Sequence, residues 1–249
     1  MSFSKNAMHH QLRRQLLWLR ESWLWVLQTK VLKDEDPARK PSALDVGCGP
    51  GFVMESLASL LALKGVDLDP DMVSASQVRG LDVREADARH LPFADDSFDI
   101  VYCSFLLLWV EDPKEVLQEM KRVSRKWVLC LAEPDYGARI DHPLELAALK
   151  QLIIDGVKQE GGDPCVGRKL RSLFKECGLN AEIGVHPGVW PIEKLRIEAE
   201  DEWAWLVMTS NAVVGEGHLS PLKRAWDQAL KDGTLFQFNP IFYALAKKE

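Results

Sequence analysis

Three glycines at alternate positions, Gly47, Gly49 and Gly51, follow a short apolar run that carries Asp45, in the stretch LDVGCGPGF. Residues without a Cβ let the backbone approach a ligand closely, and a turn that opens into a helix offers unpaired N–H groups to an anion. The chemistry is that of holding a nucleotide-like ligand. A phosphate-cradling P-loop would need a lysine and a hydroxyl after its spacer, whereas here Pro50-Gly51-Phe52-Val53 follows. Triphosphate hydrolysis is thereby excluded. A dinucleotide loop expects its third glycine one place later than Gly51, which makes NAD the runner-up among cofactors.

A second acidic position ends the next apolar run, Gly65-Val66-Asp67-Leu68-Asp69-Pro70. A carboxylate there can accept hydrogen bonds from both hydroxyls of a ribose, which NAD and adenosyl cofactors have in common. Asp67 does not choose between them, and an aspartate capping a helix that begins near Asp71 would read the same. The third stretch does choose: Glu85-Ala86-Asp87-Ala88-Arg89-His90-Leu91-Pro92-Phe93, then Asp95-Asp96-Ser97-Phe98-Asp99-Ile100-Val101.

Together LDVGCGPG, GVDLDP, EADARHLPF and DDSFDIVYC resemble, in order and spacing, the successive motifs of class I S-adenosylmethionine-dependent methyltransferases. The resemblance is strong over residues 42 to 135. It implies that Asp45, Gly47, Gly49 and Gly51 lie along the methionine part of the cofactor, that Asp67 holds the ribose and that Leu68 lies against the adenine. It also implies that Asp87 accepts the adenine amino group, that the Ala88 backbone meets the ring, and that Ser104 and Phe105 stand near the transferred methyl. Trp109 replaces the family's usual histidine after this strand, so no base is expected there. The later chain is similar to the small-molecule branch (methyltransferase type 11, quinone-biosynthesis-like). Glu133-Pro134-Asp135-Tyr136-Gly137 then falls on the acceptor side, and the catalytic candidates for a hydroxyl acceptor are Asp135, Tyr136 and His142. No metal is expected.

The elements that must position these residues follow from periodicity. Leu12, Leu16, Leu19, Trp23 and Leu27 recur at three- and four-residue steps, the pattern of an amphipathic helix, and the polar run from Asp34 to Pro41 reads as a linker. Beyond Ser42 short apolar runs alternate with helical patterns: strand Ala43–Val46, helix Val53–Leu63, strand Gly65–Leu68, helix Asp71–Val78, strand Leu81–Ala86. Then come strand Phe98–Cys103, helix Pro113–Val123, strand Trp127–Ala132, a helix around Leu144–Lys158, a helix from Arg168 to Cys177 stopped by Gly178, and strand Ala181–His186. Such alternation predicts an α/β fold with a doubly wound, mostly parallel sheet. The family resemblance adds a seven-stranded, Rossmann-like order with an antiparallel last strand at Thr234–Ala246. Residues Glu193 to Lys231 read as helical and as a lid between the last two strands. The expected organisation is a helical cover over residues 1–36 and a methyltransferase domain over 37–249, with an insertion at about 190–231.

A formal net charge of -6 argues against a broad phosphate-binding surface, so nucleic acid is not an expected partner. The five cysteines have no zinc spacing, and their odd number suits a reducing cytosol. Apolar runs such as Phe105–Val110 fall short of a membrane span, and Arg20 and Glu21 interrupt the N-terminal apolar residues of a would-be signal peptide. A cytoplasmic location and no membrane partner are expected. The nine tryptophans cluster in the N-terminal helix and the C-terminal insertion, where they can pack helices on the sheet or enclose a planar acceptor. The expected function is methyl transfer from S-adenosylmethionine to a small organic acceptor. The alternatives are a protein or RNA methyltransferase, a non-catalytic cofactor-binding module, and an NAD-dependent dehydrogenase.

Overall fold

The computed structural model describes residues 5–36, 38–210 and 213–248, the side chains of residues 5–11, 15 and 216 excepted. Its elements in chain order are α1 (Lys5–Val26), β1 (Ser42–Val46), α2 (Phe52–Leu57), β2 (Ala62–Asp67), α3 (Pro70–Val78), β3 (Val83–Glu85), β4 (Phe98–Ser104), α4 (Pro113–Val123), β5 (Ser124–Pro134) and β6 (Ile140–His142). They continue with α5 (Ala148–Gln159), α6 (Leu170–Glu176), β7 (Ala181–Val185), α7 (Ile192–Ser210), α8 (Glu216–Asp232), β8 (Phe236–Phe238) and β9 (Ile241–Lys247). Seven strands form one sheet in the order β3-β2-β1-β4-β5-β9-β7, and β6 pairs with β8 in a separate two-stranded sheet. Within the large sheet β9 runs antiparallel to both its neighbours, while β3, β2, β1, β4 and β5 are parallel.

The central strands are apolar on both faces because both faces are covered. Successive side chains point to opposite sides. Leu44 and Val46, Val101 and Cys103, and Val128 and Cys130 join a core with Val116, Leu117 and Met120 of α4. Ala43, Ile100, Tyr102, Leu129 and Leu131 face the other way, onto Leu19, Trp23, Val26 and Leu27. Helix α1 thus belongs to the core: Trp23 and Val26 are each 1% exposed.

Some boundaries differ from those predicted. The helix expected to reach Leu63 stops at Leu57, where Leu60 N and Leu61 N fold back onto the Leu57 carbonyl and Ala62 N donates to Pro41 O to start β2. The run expected as one closing strand is two, β8 and β9, separated by Asn239-Pro240. The helical stretch Glu193 to Lys231 is likewise two helices, α7 and α8, and α8 ends in a left-handed Gly233.

Candidate active site

Strand order reverses between β1 and β4, because the chain leaves β1 towards β2 and β3 and returns on its other side. In such sheets the crevice beyond the carboxyl ends of those two strands receives the ligand. The glycine loop lies in it, with φ of 72° at Gly47, 53° at Gly49 and 84° at Gly51. Gly47 N and Cys48 N both donate to Val66 O, at 2.8 and 3.0 Å, and Ser76 Oγ donates to Gly49 O at 2.8 Å. A Cβ on Gly51 would fall 2.1 Å from Leu81 Cδ1 and one on Gly47 2.7 Å from Leu106 Cδ1. Packing and backbone conformation therefore both demand glycine at these two positions.

A pocket of about 390 Å³ opens between this loop, the end of β4 and α1, lined by Leu12, Trp23, Asp45, Gly49, Ser104 and Phe105 among others. Asp45 is buried, its Oδ2 has no hydrogen-bond partner, and neither has the buried Oγ of Ser104. Burial pushes the Asp45 carboxyl up to about 8. Phe105 holds a positive φ of 53° and donates its N–H to Ala132 O at 2.7 Å. Buried acceptors without partners on a glycine cradle suit a ligand that brings N–H donors, such as the ammonium end of an amino acid.

At the end of β2 the two oxygens of Asp67 accept from Gly49 N at 2.7 Å and from Asp69 N at 2.9 Å. Burial raises its pKa. Leu68 beside it is 65% exposed, an apolar surface left open just past the end of β2. Past β3, Asp87 is gripped through both oxygens by Arg89, whose Nη2 lies 2.7 Å from Oδ2, and this pairing lowers its pKa. Ala88 is half-buried against the main core.

Residues 44–131 match the family model described as a methyltransferase domain. The chain is 35% identical over 97 residues to a phosphatidylethanolamine N-methyltransferase of Cereibacter sphaeroides, which covers 36% of this chain and 48% of that one. It is 32% identical over 105 residues to a demethylmenaquinone methyltransferase of Chlorobaculum parvum, covering 41% of this chain and 44% of that one. The matched stretch thus spans about half the length of either curated relative. The fold aligns over 99% of this chain and 91% of the other with a solved methyltransferase structure from Galdieria sulphuraria, at a TM-score of 0.60 and 18% identity. Residues 44–131 thus carry a methyltransferase domain, and the sheet around them has the methyltransferase fold.

The remaining expected residues sit at the end of β5 and beyond it. Asp135 is buried and gives both oxygens to Arg168, at 2.6 and 2.8 Å, the geometry of an ion pair that fixes the loop before α6. Tyr136 is buried, with its ring 6.0 Å from that of Trp205 on α7, and burial raises its hydroxyl pKa. His142 is exposed on β6, paired with Phe236 of β8, and is set apart from that strand end. Trp109 packs over Gly162, where a Cβ would come within 2.9 Å of its ring. Sequence reasoning missed Glu133 as a structural centre. Its side chain is fully buried and accepts N–H from Leu106 at 2.9 Å, Leu107 at 2.7 Å and Leu108 at 3.3 Å, holding the segment after Phe105. The pocket residues Leu12 and Trp23 were visible only as part of the amphipathic period of α1. Among the described residues one group could offer three metal ligands, Cys103, Cys130 and Glu133, but both oxygens of Glu133 already accept these backbone donors.

Asp45 gives a pH prediction. A carboxyl whose pKa is raised to about 8 is mostly protonated at pH 6, and only its ionised form can pair with an ammonium. Affinity for S-adenosylhomocysteine should rise as pH increases from 6 towards 8, by up to roughly tenfold per unit for one linked proton. Titration calorimetry in two buffers of different ionisation enthalpy should show proton release at pH 6.5. An affinity flat across this range, with no proton released, would remove Asp45 from the ammonium site.

Proposed function

We propose that this methyltransferase transfers the methyl group to a small organic acceptor enclosed under a helical cover made by α1, α7 and α8. The observation that carries it is a second cavity of about 560 Å³, walled by Trp18, Trp190 and Trp226 and bordered by Leu19 and Ile241. Helix α1 forms a wall of both cavities, through Leu12 and Trp23 at the glycine loop and through Trp18 and Leu19 here. A concave cavity walled by tryptophans suits a small molecule, whereas a protein or RNA acceptor calls for an extended charged groove. The two curated relatives, a phosphatidylethanolamine N-methyltransferase and a demethylmenaquinone methyltransferase, are likewise named for small molecules.

When bound, S-adenosylmethionine supplies an electrophilic methyl on a sulfonium, which needs no metal to activate it. The chain's own work is binding, alignment and exclusion of water. Well-oriented reactants account for about 7–11 kcal/mol of barrier, whereas a general base adds only about 100- to 10,000-fold. Gly47, Gly49, Gly51 and Asp45 would hold the amino-acid end, Asp67 the ribose, Leu68, Asp87 and Ala88 the adenine, and Ser104 and Phe105 would flank the methyl. The indoles keep solvent out. Among the acceptor-side candidates, Tyr136 lies close enough to Arg139 and Glu202 to feel both charges, and both of those residues line the second cavity. Asp135 serves through its ion pair, and His142 is the weakest candidate. Residues 1–36 act as cover in this scheme, with 37–249 as the catalytic domain. No helix among the described residues is long and apolar enough to cross a membrane.

The test is calorimetric titration with S-adenosylmethionine, S-adenosylhomocysteine and NAD, followed by transfer of labelled methyl into a metabolite extract, a protein extract and total RNA. Binding of the two adenosyl ligands and label in the small-molecule fraction are expected. Label in precipitated protein or RNA alone would sink the small-acceptor assignment, and binding of NAD alone would restore the dehydrogenase.

A further inference from the structure

We infer that the second cavity recognises a zwitterionic acceptor: an amino acid or close derivative with an apolar or aromatic side chain. This rests on the methyl-transfer function proposed above and goes on to name its acceptor class. The cavity is apolar over most of its wall, yet two opposite charges reach it from different elements. Arg139, 3% exposed, enters from the segment between β5 and β6. Its Nε and Nη2 grip Asp141 at 2.9–3.1 Å, and Nη1 donates no hydrogen bond among the described residues. From α7 come Glu198 and Glu202, one turn apart. Each gives only Oε2 to Arg14 of α1, at 3.3 and 2.8 Å, and neither Oε1 has a hydrogen-bond partner among the described residues. Trp226 is fully buried in the cavity wall, and Trp18 and Trp190 meet edge to face at 4.7 Å.

The charges dictate the ligand. A guanidinium edge with an open donor suits a carboxylate, and paired carboxylates with open acceptor oxygens suit an ammonium. Arg139 and the two glutamates each already have one ionic partner, so a ligand carrying one of these groups would satisfy the open hydrogen-bonding positions at one end of the cavity and leave those at the other end unmet behind an apolar wall, which is costly. A zwitterion satisfies both ends and brings no net charge into the site. The indoles then receive its side chain, and a cation near their faces gains further attraction. Asn239, whose buried Oδ1 has no partner, lines the same cavity.

The experiment compares three probes of one shape by titration calorimetry on the full chain: L-phenylalanine, phenethylamine with the amine alone, and 3-phenylpropanoate with the carboxylate alone. Phenylalanine is expected to bind at least tenfold more tightly than either. Glu198→Gln, chosen because Glu198 makes the longer contact with Arg14, should weaken phenylalanine and phenethylamine by the same factor and leave 3-phenylpropanoate unchanged. Equal affinity for all three, a preference for a singly charged probe, or no binding of any of them overturns the inference. S-adenosylhomocysteine is titrated separately into the same preparation. Its failure to bind while phenylalanine binds would count against the cofactor site and not against this cavity.

Discussion

Replacing Asp67 with alanine should lower S-adenosylhomocysteine affinity by at least 100-fold while leaving the melting temperature within a few degrees of wild type. The carboxylate has two tasks that local structure joins. It receives Gly49 N at 2.7 Å and Asp69 N at 2.9 Å, which sets the glycine loop against the end of β2, and its position at the end of β2 suits it to accept ribose hydroxyls. A hydrogen bond to a charged group contributes about 1.5–3 kcal/mol, so two of them give about 3–6 kcal/mol, or roughly 10²–10⁴ in affinity. Stability suffers little, because the two backbone donors lie at a pocket rim where water can replace the carboxylate. Asp67→Asn keeps one acceptor oxygen and the same shape, and should fall between the two. Calorimetry gives the affinities and circular dichroism checks the fold. An alanine variant that binds within threefold of wild type would show that Asp67 does not hold the cofactor.

How much of this was legible in the chain depends on whether the cause is local. Helix α4 starts where Asp112 accepts from Lys114 N and Glu115 N and Pro113 occupies the first turn, a signal contained in four consecutive residues. The three glycines and the aspartates at the ends of β1 and β2 were legible for the same reason, since strand, turn and helix follow one another without interruption. The end of α2 was not, because the apolar run after Ser59 suits a helix as well as a strand, and the choice is made by pairing with β1. The three-residue strands β6 and β8 are too short to show a period, and their paired residues lie 94 or more positions apart in the chain, as with His142 and Phe236. Ion pairs are the least legible of all. Asp135 was readable as an acid beside the acceptor, but its partner Arg168 lies 33 positions later. His186 gave no signal, although its Nε2–H donates to Leu131 O at 2.7 Å and its Nδ1 receives Ser22 Oγ at 2.7 Å, tying α1 to β5. Burial lowers its pKa and keeps the ring neutral, as this bonding requires.

Glu133 shows how a residue outside the glycine loop can govern the site. The chain turns sharply after β4, and the N–H groups of Leu106, Leu107 and Leu108 would be orphaned at the start of the short helical turn Leu107–Trp109 without the Glu133 oxygens. The same turn sets Phe105 at the pocket beside the glycine loop and places Leu106 against Gly47. Glu133→Ala should therefore be among the most destabilising single changes. Leaving a buried donor unpaired costs about 1–3 kcal/mol, and three such donors at roughly 2–4 °C per kcal/mol predict a fall of about 10 °C or more in melting temperature. Glu133→Gln retains an acceptor oxygen and should cost much less. The two variants also separate structure from charge. Burial raises the Glu133 pKa to about 8, so the folded state holds a proton that the unfolded state releases near the ordinary glutamate value. A raised pKa makes stability greatest below the unfolded value and lowers it as pH climbs towards 8. Wild type should lose melting temperature between pH 5 and 8. Asp45, raised for the same reason, contributes to that loss, and the part that disappears in Glu133→Gln belongs to Glu133. Parallel pH profiles for wild type and the glutamine variant would mean that Glu133 is ionised throughout and that its three backbone donors, not its burial, set its charge.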